Sequence, residues 1–263
     1  MRTAPLLAAL VLAGHVLSPL EGNAQQRVPD WLLKLKLPNS GAKAIMTPTA
    51  WGAAYGSAYL GAGLAGRSPY LPNPDGIVGL GYGMGDPVLN AGLQIGTTIS
   101  DLSGVDNVSF SFKLHRYLSR GTTIAVGGES LFSNNPLADD AGDTFYLVVS
   151  HVLQTFGAGR PGIGRVHVSA GVGSGRFANK SDRDFSEGKG RKGTMAFGNV
   201  AVEVPGGLNI ILEWSGTNLL TGMSKTIQTG GAPIAFSLGL ADLTPYSGDG
   251  VRLVAAAAVA VSL

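Results

Sequence analysis

The chain has 263 residues, no cysteine and a formal net charge of +2. Hydrophobic residues make up 44% and charged residues 14%, whereas charged residues make up about a quarter of a usual soluble domain. The near-neutral balance and the lack of a long basic run argue against nucleic-acid binding, and a disulfide framework is excluded.

The first residues have the pattern of a secretory signal. Arg2 supplies a short positive region, and an apolar stretch follows over residues 6–17. Small residues at Gly22 and Ala24 predict cleavage before Gln25. Because the apolar stretch is shorter than the roughly 20 residues of a membrane helix, we expect residues 1–24 to direct export and to be removed.

Residues 25–48 differ in pattern from the rest of the chain. The stretch Trp31–Leu37 is typical of the start of a short helix or strand, and Pro38 ends it. Both a periplasmic lead-in and a small plug fit this stretch.

Residues 49–263 alternate apolar and polar side chains, as a strand with two different faces requires. In the stretch 108–115, for example, Val108, Phe110, Phe112 and Leu114 share one face. Repeated along the chain, this pattern predicts an all-β fold, a transmembrane antiparallel up-and-down β-barrel with lipid outside and polar groups inside. About twelve strands fit, with ten to fourteen as the range: 50–65, 76–84, 90–100, 107–117, 122–132, 143–154, 164–174, 193–204, 208–216, 222–228, 233–242 and 251–263.

The connections between these strands differ in length. Long polar loops are predicted at Arg67–Asp75, Ser133–Asp143 and Phe177–Lys192, and short turns at Pro205–Gly207 and Ser119–Gly121. Membrane barrels have long extracellular loops and short periplasmic turns, so this asymmetry favours a membrane barrel over a soluble sandwich.

The alternation assigns a set of polar side chains to the lumen. A Lys or Arg facing lipid at the membrane midplane would cost about 2–4 kcal/mol, so charged side chains are expected to face inward. Two interpretations stay open for this set, a polar pore lining and a structural ion-pair network. The predicted lumen-lining residues are Lys113, His115, Glu129, His167, Glu203, Asn209, Glu213 and Arg252.

Aromatic side chains near the predicted strand ends suggest girdles at the two membrane interfaces. The predicted interface aromatics are Trp51, Tyr59, Tyr82, Tyr117 and Trp214.

No catalytic motif stands out. Gly-x-Ser-x-Gly and His-Glu-x-x-His are both absent, and Ser150 and His151, being adjacent, point to opposite faces of a strand. We therefore expect a protein that is not an enzyme and that has no cofactor and no metal site.

The chain resembles outer-membrane β-barrel proteins of Gram-negative bacteria. The resemblance rests on the signal, the alternation, the loop asymmetry and the last strand, which ends Val259-Ala260-Val261-Ser262-Leu263. It implies insertion into the outer-membrane lipid bilayer by the barrel-assembly machinery. The last residue is leucine, where the family pattern has an aromatic residue.

A shorter similarity is to YjbH-like proteins linked to exopolysaccharide production, at Met46–Ala50, Val108–Leu114 and Glu213–Asn218. Together with the polar lumen, it leads us to expect a narrow channel or an accessory protein in surface polysaccharide or lipid traffic, with a small polar solute or a polysaccharide as partner. The alternatives are a structural or adhesive barrel with a sealed lumen, an outer-membrane lipid-modifying enzyme and a secreted soluble β-sandwich.

Overall fold

Twelve antiparallel strands close into a single up-and-down barrel in the computed structural model of the chain. The structure describes residues 42–53, 55–101, 106–119, 121–134, 142–153, 164–229 and 232–262, so the predicted signal at 1–24 and the stretch 25–41 lie outside the described residues. The fold class and the strand number predicted from the alternation are confirmed. The strands are β1 Ser57–Ala65, β2 Asp75–Gly85, β3 Gly92–Asp101, β4 Asp106–Ser119, β5 Thr122–Leu131, β6 Thr144–Leu153, β7 Val166–Gly173, β8 Ala196–Val204, β9 Leu208–Trp214, β10 Leu219–Ile227, β11 Ile234–Ala241 and β12 Arg252–Ser262.

Each strand pairs with its neighbours in sequence, and β1 closes the barrel against β12 with Ser57 opposite Ser262. The antiparallel order therefore places the connections β1–β2, β3–β4 and so on at one end, which we call the loop end. The connections β2–β3, β4–β5 and so on lie at the other, the turn end, together with the first residue of β1 and the last residue of β12. The three predicted long loops are at the loop end, and the two predicted short turns are at the turn end.

Helical structure in the described residues is confined to the β7–β8 connection. A 3-10 turn at Gly175–Phe177 is followed by one short helix, α1 Asp182–Ser186, which begins with a capping box between Ser181 and Asp184. In the described part of the chain, no helix is long and apolar enough to cross a membrane.

The outer wall of the barrel is apolar along most strands, the reverse of a soluble protein. Leucine, valine, isoleucine and phenylalanine side chains alternate on it with inward polar residues, as the register requires. These exposed apolar residues include Leu60, Leu64, Leu80, Ile95, Phe110, Leu114, Val126, Phe145, Leu147, Val149, Val172, Val200, Ile210, Leu212, Met223, Phe236, Leu238, Leu240, Leu253 and Val261. A β-sandwich, which buries such a face against a second sheet, does not fit this arrangement.

Inward glycines make room for inward aromatic rings on the neighbouring strand. A Cβ atom at Gly127 would lie 2.4 Å from the Tyr146 ring, and one at Gly171 would lie 2.3 Å from the Phe197 ring. Real Cβ atoms do not approach other atoms so closely, so only glycine fits beneath these rings. Part of the high glycine content of the chain is thereby explained by packing inside the barrel.

Candidate functional site: the occupied lumen

The described stretch before β1 lies inside the barrel. We call residues 42–53 the lumen segment; nearly all of its side chains are buried. Its first residue, Ala42, bonds Ser224 and Asn209 near the turn end, and its last, Ala53, donates its N–H to Gln94 Oε1 at 2.9 Å, also near the turn end. Between them the segment rises to the loop-end half, so it enters and leaves by the same end of the barrel.

The lumen segment spans the boundary that the sequence predicts between a lead-in or plug, residues 25–48, and the first strand, residues 50–65. Residues 42–48 of the predicted lead-in or plug lie in the lumen, whereas residues 50–53, predicted as the start of the first strand, belong to the same segment. The wall begins at Ser57. Alternation cannot separate an irregular segment inside a barrel from the strand that follows it.

Glu213 holds the innermost part of the segment. One carboxylate oxygen accepts the N–H of Ile45; the other accepts the N–H groups of Met46 at 2.9 Å and Thr47 at 2.8 Å and the Thr47 hydroxyl at 3.1 Å. All four partners are donors, which is the arrangement that an ionised carboxylate requires. A buried acidic group is thus satisfied by the backbone of the segment.

A residue of the β7–β8 connection contacts the same region from the loop end. Arg176, in the β7–β8 connection, forms an ion pair with Glu129 of β5 and donates from Nη2 to the Met46 carbonyl oxygen at 2.8 Å. Its guanidinium also lies over the Phe177 ring, 4.4 Å from the centroid. The loop end and the tip of the lumen segment are therefore in direct contact.

The lumen segment has a first limb, residues 42–45, and a second limb, residues 48–53. A charged cluster anchors the first limb near the turn end. Lys43 Nζ lies 3.2 Å from Glu203 Oε1 and donates to Asn209 Oδ1 at 2.9 Å. The same Glu203 oxygen is 2.9 Å from His167 Nε2, and the Trp51 ring meets His167 edge-on with centroids 5.5 Å apart. One wall carboxylate therefore contacts a wall imidazole and a segment ammonium group together.

The backbone of the second limb forms hydrogen bonds with side chains of β6 and β4. The Ala50 N–H donates to Ser150 Oγ at 2.8 Å, and Lys113 Nζ donates to the Trp51 carbonyl oxygen at 3.0 Å. Gly52 lies against the His115 ring, which leaves no space for a side chain at that position.

Apolar packing adds to these polar contacts at Ala42, Ile45 and Ala50, and most extensively at Ile45. Ile45 is fully buried in a cluster with Ile211, Leu220 and Val254. Its Cδ1 atom lies 3.0 Å from where a Cβ at Gly239 would stand, so the wall is shaped to receive this side chain.

The structure places all eight predicted lumen-lining residues on the inner wall and buries each of them. Seven contact the lumen segment or its partners as described above. Asn209 bonds both limb residues Ala42 and Lys43, and Arg252 instead donates to Asp242 Oδ2 at 2.6 Å near the loop end. Parity therefore located the inner wall, but it gave no indication that a segment occupies it.

The predicted interface aromatics divide between the two faces. Tyr82 and Trp214 lie on the outward face, where Trp214 donates its Nε1–H to Thr194 at 2.9 Å near the loop end. Tyr59 is buried inside, with its hydroxyl accepting from Gln94, and Tyr117 faces inward opposite Thr123. Trp51 is buried in the lumen segment, so these last three do not form an interface girdle.

Sequence reasoning missed several residues that hold the segment: Lys43, Gln94, Ser150 and Arg176. Gln94 lies in the predicted strand 90–100, but its residue type alone indicates no contact with a segment. Lys43 and Arg176 lie outside the strands, where alternation carries no information.

A network of polar contacts joins three connections at the loop end, those between β1 and β2, β7 and β8, and β11 and β12. Asp184 accepts from the Tyr70 hydroxyl and from the Gly248 N–H, each at 2.7 Å, and Arg67 pairs with Asp249 at 2.6 Å. Burial, then the hydrogen bond to Asp184, raises the pKa of Tyr70 well above its usual value. Burial acts to raise the pKa of Asp249, but its hydrogen bonds from Arg67 and Tyr70 outweigh this and the pKa is lowered.

No protein-family model matches the chain, and no curated protein matches it. Its function is therefore inferred from its own residues.

Proposed function

We propose that the protein is an integral outer-membrane barrel that forms a narrow channel, closed at rest by its own lumen segment. The apolar outer wall supports a place in the bilayer, because an exposed apolar surface of this extent is unfavourable in water. The predicted export signal and last strand fit the outer membrane of a Gram-negative bacterium.

The path of the lumen segment is the observation that carries this proposal. Ala42 and Ala53 both lie near the turn end, so the segment can withdraw in one direction without passing through the barrel. A chain that threaded from one end to the other could not leave in this way.

The chemistry of the contacts also favours a removable closure. Most contacts between segment and wall are hydrogen bonds or ion pairs, through groups such as Glu213, Lys113 and Lys43. Water can replace such bonds, so their net contribution is about 0.5–1.5 kcal/mol each, or about 1.5–3 kcal/mol for charged groups. After withdrawal the wall would present these polar side chains to a water-filled path.

A sealed structural barrel is the second candidate. It is favoured by the complete burial of Ile45 and by the network of Tyr70, Asp184 and Asp249 that covers the loop end. In this alternative the loops carry the function and the segment never leaves.

An accessory role in surface polysaccharide or lipid traffic also stays part of the proposal, although we assign no described residue to it. For a lipid-modifying enzyme, the nearest arrangement is on the outer wall near the turn end, where Thr122 Oγ1 lies 2.8 Å from His151 Nδ1. Among the described residues no carboxylate hydrogen-bonds this imidazole, so the third member of a hydrolytic triad is missing and we propose a protein that is not an enzyme.

Single-channel recording in a planar bilayer tests the proposal. We compare the wild type with a Lys43→Ala, Ile45→Ala double variant, which weakens the segment and leaves the wall unchanged. We expect long closed periods for the wild type and frequent ohmic steps for the variant. Lys192→Ala, at an exposed loop residue, is the control and should match the wild type. A double variant that inserts stably but stays silent would favour the sealed barrel.

A further inference from the structure

The inner wall binds the lumen segment mainly through the peptide backbone. Wall or loop side chains accept five backbone N–H groups and donate to three carbonyl groups, spread from one end of the segment to the other. The N–H groups belong to Ile45, Met46, Thr47, Ala50 and Ala53, and the carbonyl groups belong to Ala42, Met46 and Trp51.

The segment does not extend the sheet. Among the described residues, no backbone-to-backbone hydrogen bond outside the strands involves residues 42–53, and none of these residues belongs to a strand. Its backbone is held by side chains that project from widely separated strands, with Glu213 on β9 and Lys113 on β4. The places at which the segment backbone is bound are therefore set by side chains of the wall and of the β7–β8 connection.

The wall and the β7–β8 connection supply both acceptors and donors for a peptide backbone. Glu213 and Asn209, on β9, are four residues apart and so about 13 Å apart along the strand. Glu213 accepts backbone N–H groups, while Lys113 and Arg176 donate to backbone carbonyl groups. Groups of both kinds are needed to satisfy a peptide, which offers one donor and one acceptor at most residues.

The side chains of the segment are mostly small. Lys43, Ile45, Thr47 and Trp51 contact the wall, Ala42 and Ala50 pack in its apolar clusters, and most of the remaining residues are alanine, glycine or proline. The wall thus fits a chain of small residues with a cationic side chain near one end.

We propose that the lumen wall is a binding site for peptides of about this length that bend back on themselves as the lumen segment does, and that the lumen segment occupies the site in the closed state. This inference rests on the proposed function, because it requires the segment to withdraw. A peptide would enter from the turn end, where the segment itself enters, and would be bound mainly through its backbone, with side-chain requirements at the positions of Lys43, Ile45 and Gly52.

The test is fluorescence anisotropy with a labelled synthetic peptide of residues 42–53, titrated with the purified full-length Lys43→Ala, Ile45→Ala variant in detergent. We expect saturable binding to the variant and at least roughly tenfold weaker binding to the wild type, whose own segment competes. Ile45→Ala alone replaces the double variant if the latter does not fold.

Backbone methylation separates recognition of the backbone from recognition of side chains. A peptide N-methylated at the Ile45 and Thr47 positions loses two N–H groups that Glu213 accepts and should bind at least roughly thirtyfold more weakly. Methylation at Ala44, whose N–H makes no bond to the described wall, is the control. A peptide that keeps lysine, isoleucine, proline, tryptophan and glycine at their positions and exchanges the remaining residues should bind within about tenfold of the parent.

Two results would overturn the inference: equal binding of the parent peptide and the doubly methylated peptide, or no binding of the reordered peptide. Either result together with ohmic steps from the variant would leave the channel intact and remove the peptide site. Binding with the expected methylation pattern by a variant that stays silent in bilayers would support the site and contradict the channel.

Discussion

Replacing Glu213 by glutamine should release the tip of the lumen segment. The carboxylate offers two oxygens to four donors, and glutamine has the same shape but only one oxygen. If that oxygen takes the place of the one that faces Met46 and Thr47, the new NH₂ group faces the Ile45 N–H, and two donors meet.

The magnitude follows from these contacts. An unsatisfied buried N–H costs about 1–3 kcal/mol, and each remaining bond changes from a charged to a neutral acceptor and is weakened. Relief from burying a charge offsets part of this loss. A net cost of about 3 kcal/mol to the closed state is expected, which is roughly a hundredfold in the opening equilibrium.

Thiol labelling measures this equilibrium because the chain has no cysteine of its own. Ala44 is fully buried in the segment, so Ala44→Cys reacts with a membrane-impermeant maleimide only when the segment opens. Adding Glu213→Gln should raise the labelling rate roughly a hundredfold. Glu187→Gln, at an exposed loop carboxylate, should leave the rate unchanged. An unchanged rate in Glu213→Gln, with the barrel folded, would refute the role given to Glu213.

Three further results are expected. Gly239→Ala should speed labelling of the segment because the new Cβ meets Ile45 Cδ1 and the Thr221 carbonyl oxygen, each at 3.0 Å, and its effect should be smaller in an Ile45→Val background, which removes the first of these contacts; additive effects of the two substitutions would contradict this contact. The raised pKa of Tyr70 means that the folded state favours its protonated hydroxyl, so its contribution to stability is present below its usual pKa of about 10 and is lost as the pH rises beyond it. The thermal midpoint should therefore fall less between pH 8 and 11 in Tyr70→Phe than in wild type, whereas Tyr246→Phe, at an exposed loop residue, should behave as wild type. In a variant with Trp31→Phe and Trp51→Phe, which leaves Trp214 as the single tryptophan, brominated lipids should quench the tryptophan fluorescence. An absence of quenching would argue against a membrane location.

The strands and the inner wall could be predicted because one physical rule decides both. Alternation with a period of two puts Glu203 and Asn209 on the same face as each other, and burial of charge decides which face that is. The register of β8 against β9, which sets these two residues opposite each other, follows from the short turn between the strands.

The lumen segment could not be predicted from alternation because its contacts do not depend on a repeating backbone. Thr47 and Ala50 bond distant strands through groups that every residue possesses, so their side-chain types carry little signal. Trp51 and Tyr59 were assigned to an interface because an aromatic residue near a strand end fits either face. The inward position of Tyr59 depends on glycines in two neighbouring strands, which is a tertiary relation.

A polar inner wall does not by itself distinguish a pore from an ion-pair network, since both need charges that face away from lipid. The partners of those charges do distinguish them. Arg252 pairs with Asp242 and Arg176 with Glu129, so these ion pairs would persist without the segment. Glu213, by contrast, takes all its hydrogen bonds in the described residues from the segment.

Twelve strands enclose more space than wall side chains alone fill in an eight-stranded barrel. The enclosed space is filled here by a stretch of chain, and a buried stretch without backbone pairing needs polar partners for its own N–H and C=O groups. The charged residues that would line an open path, above all Glu213 and Lys113, are those partners. If the protein is the channel that we propose, the same side chains close the lumen and line it, and withdrawal of the segment would expose the groups that a polar solute or a second peptide would contact.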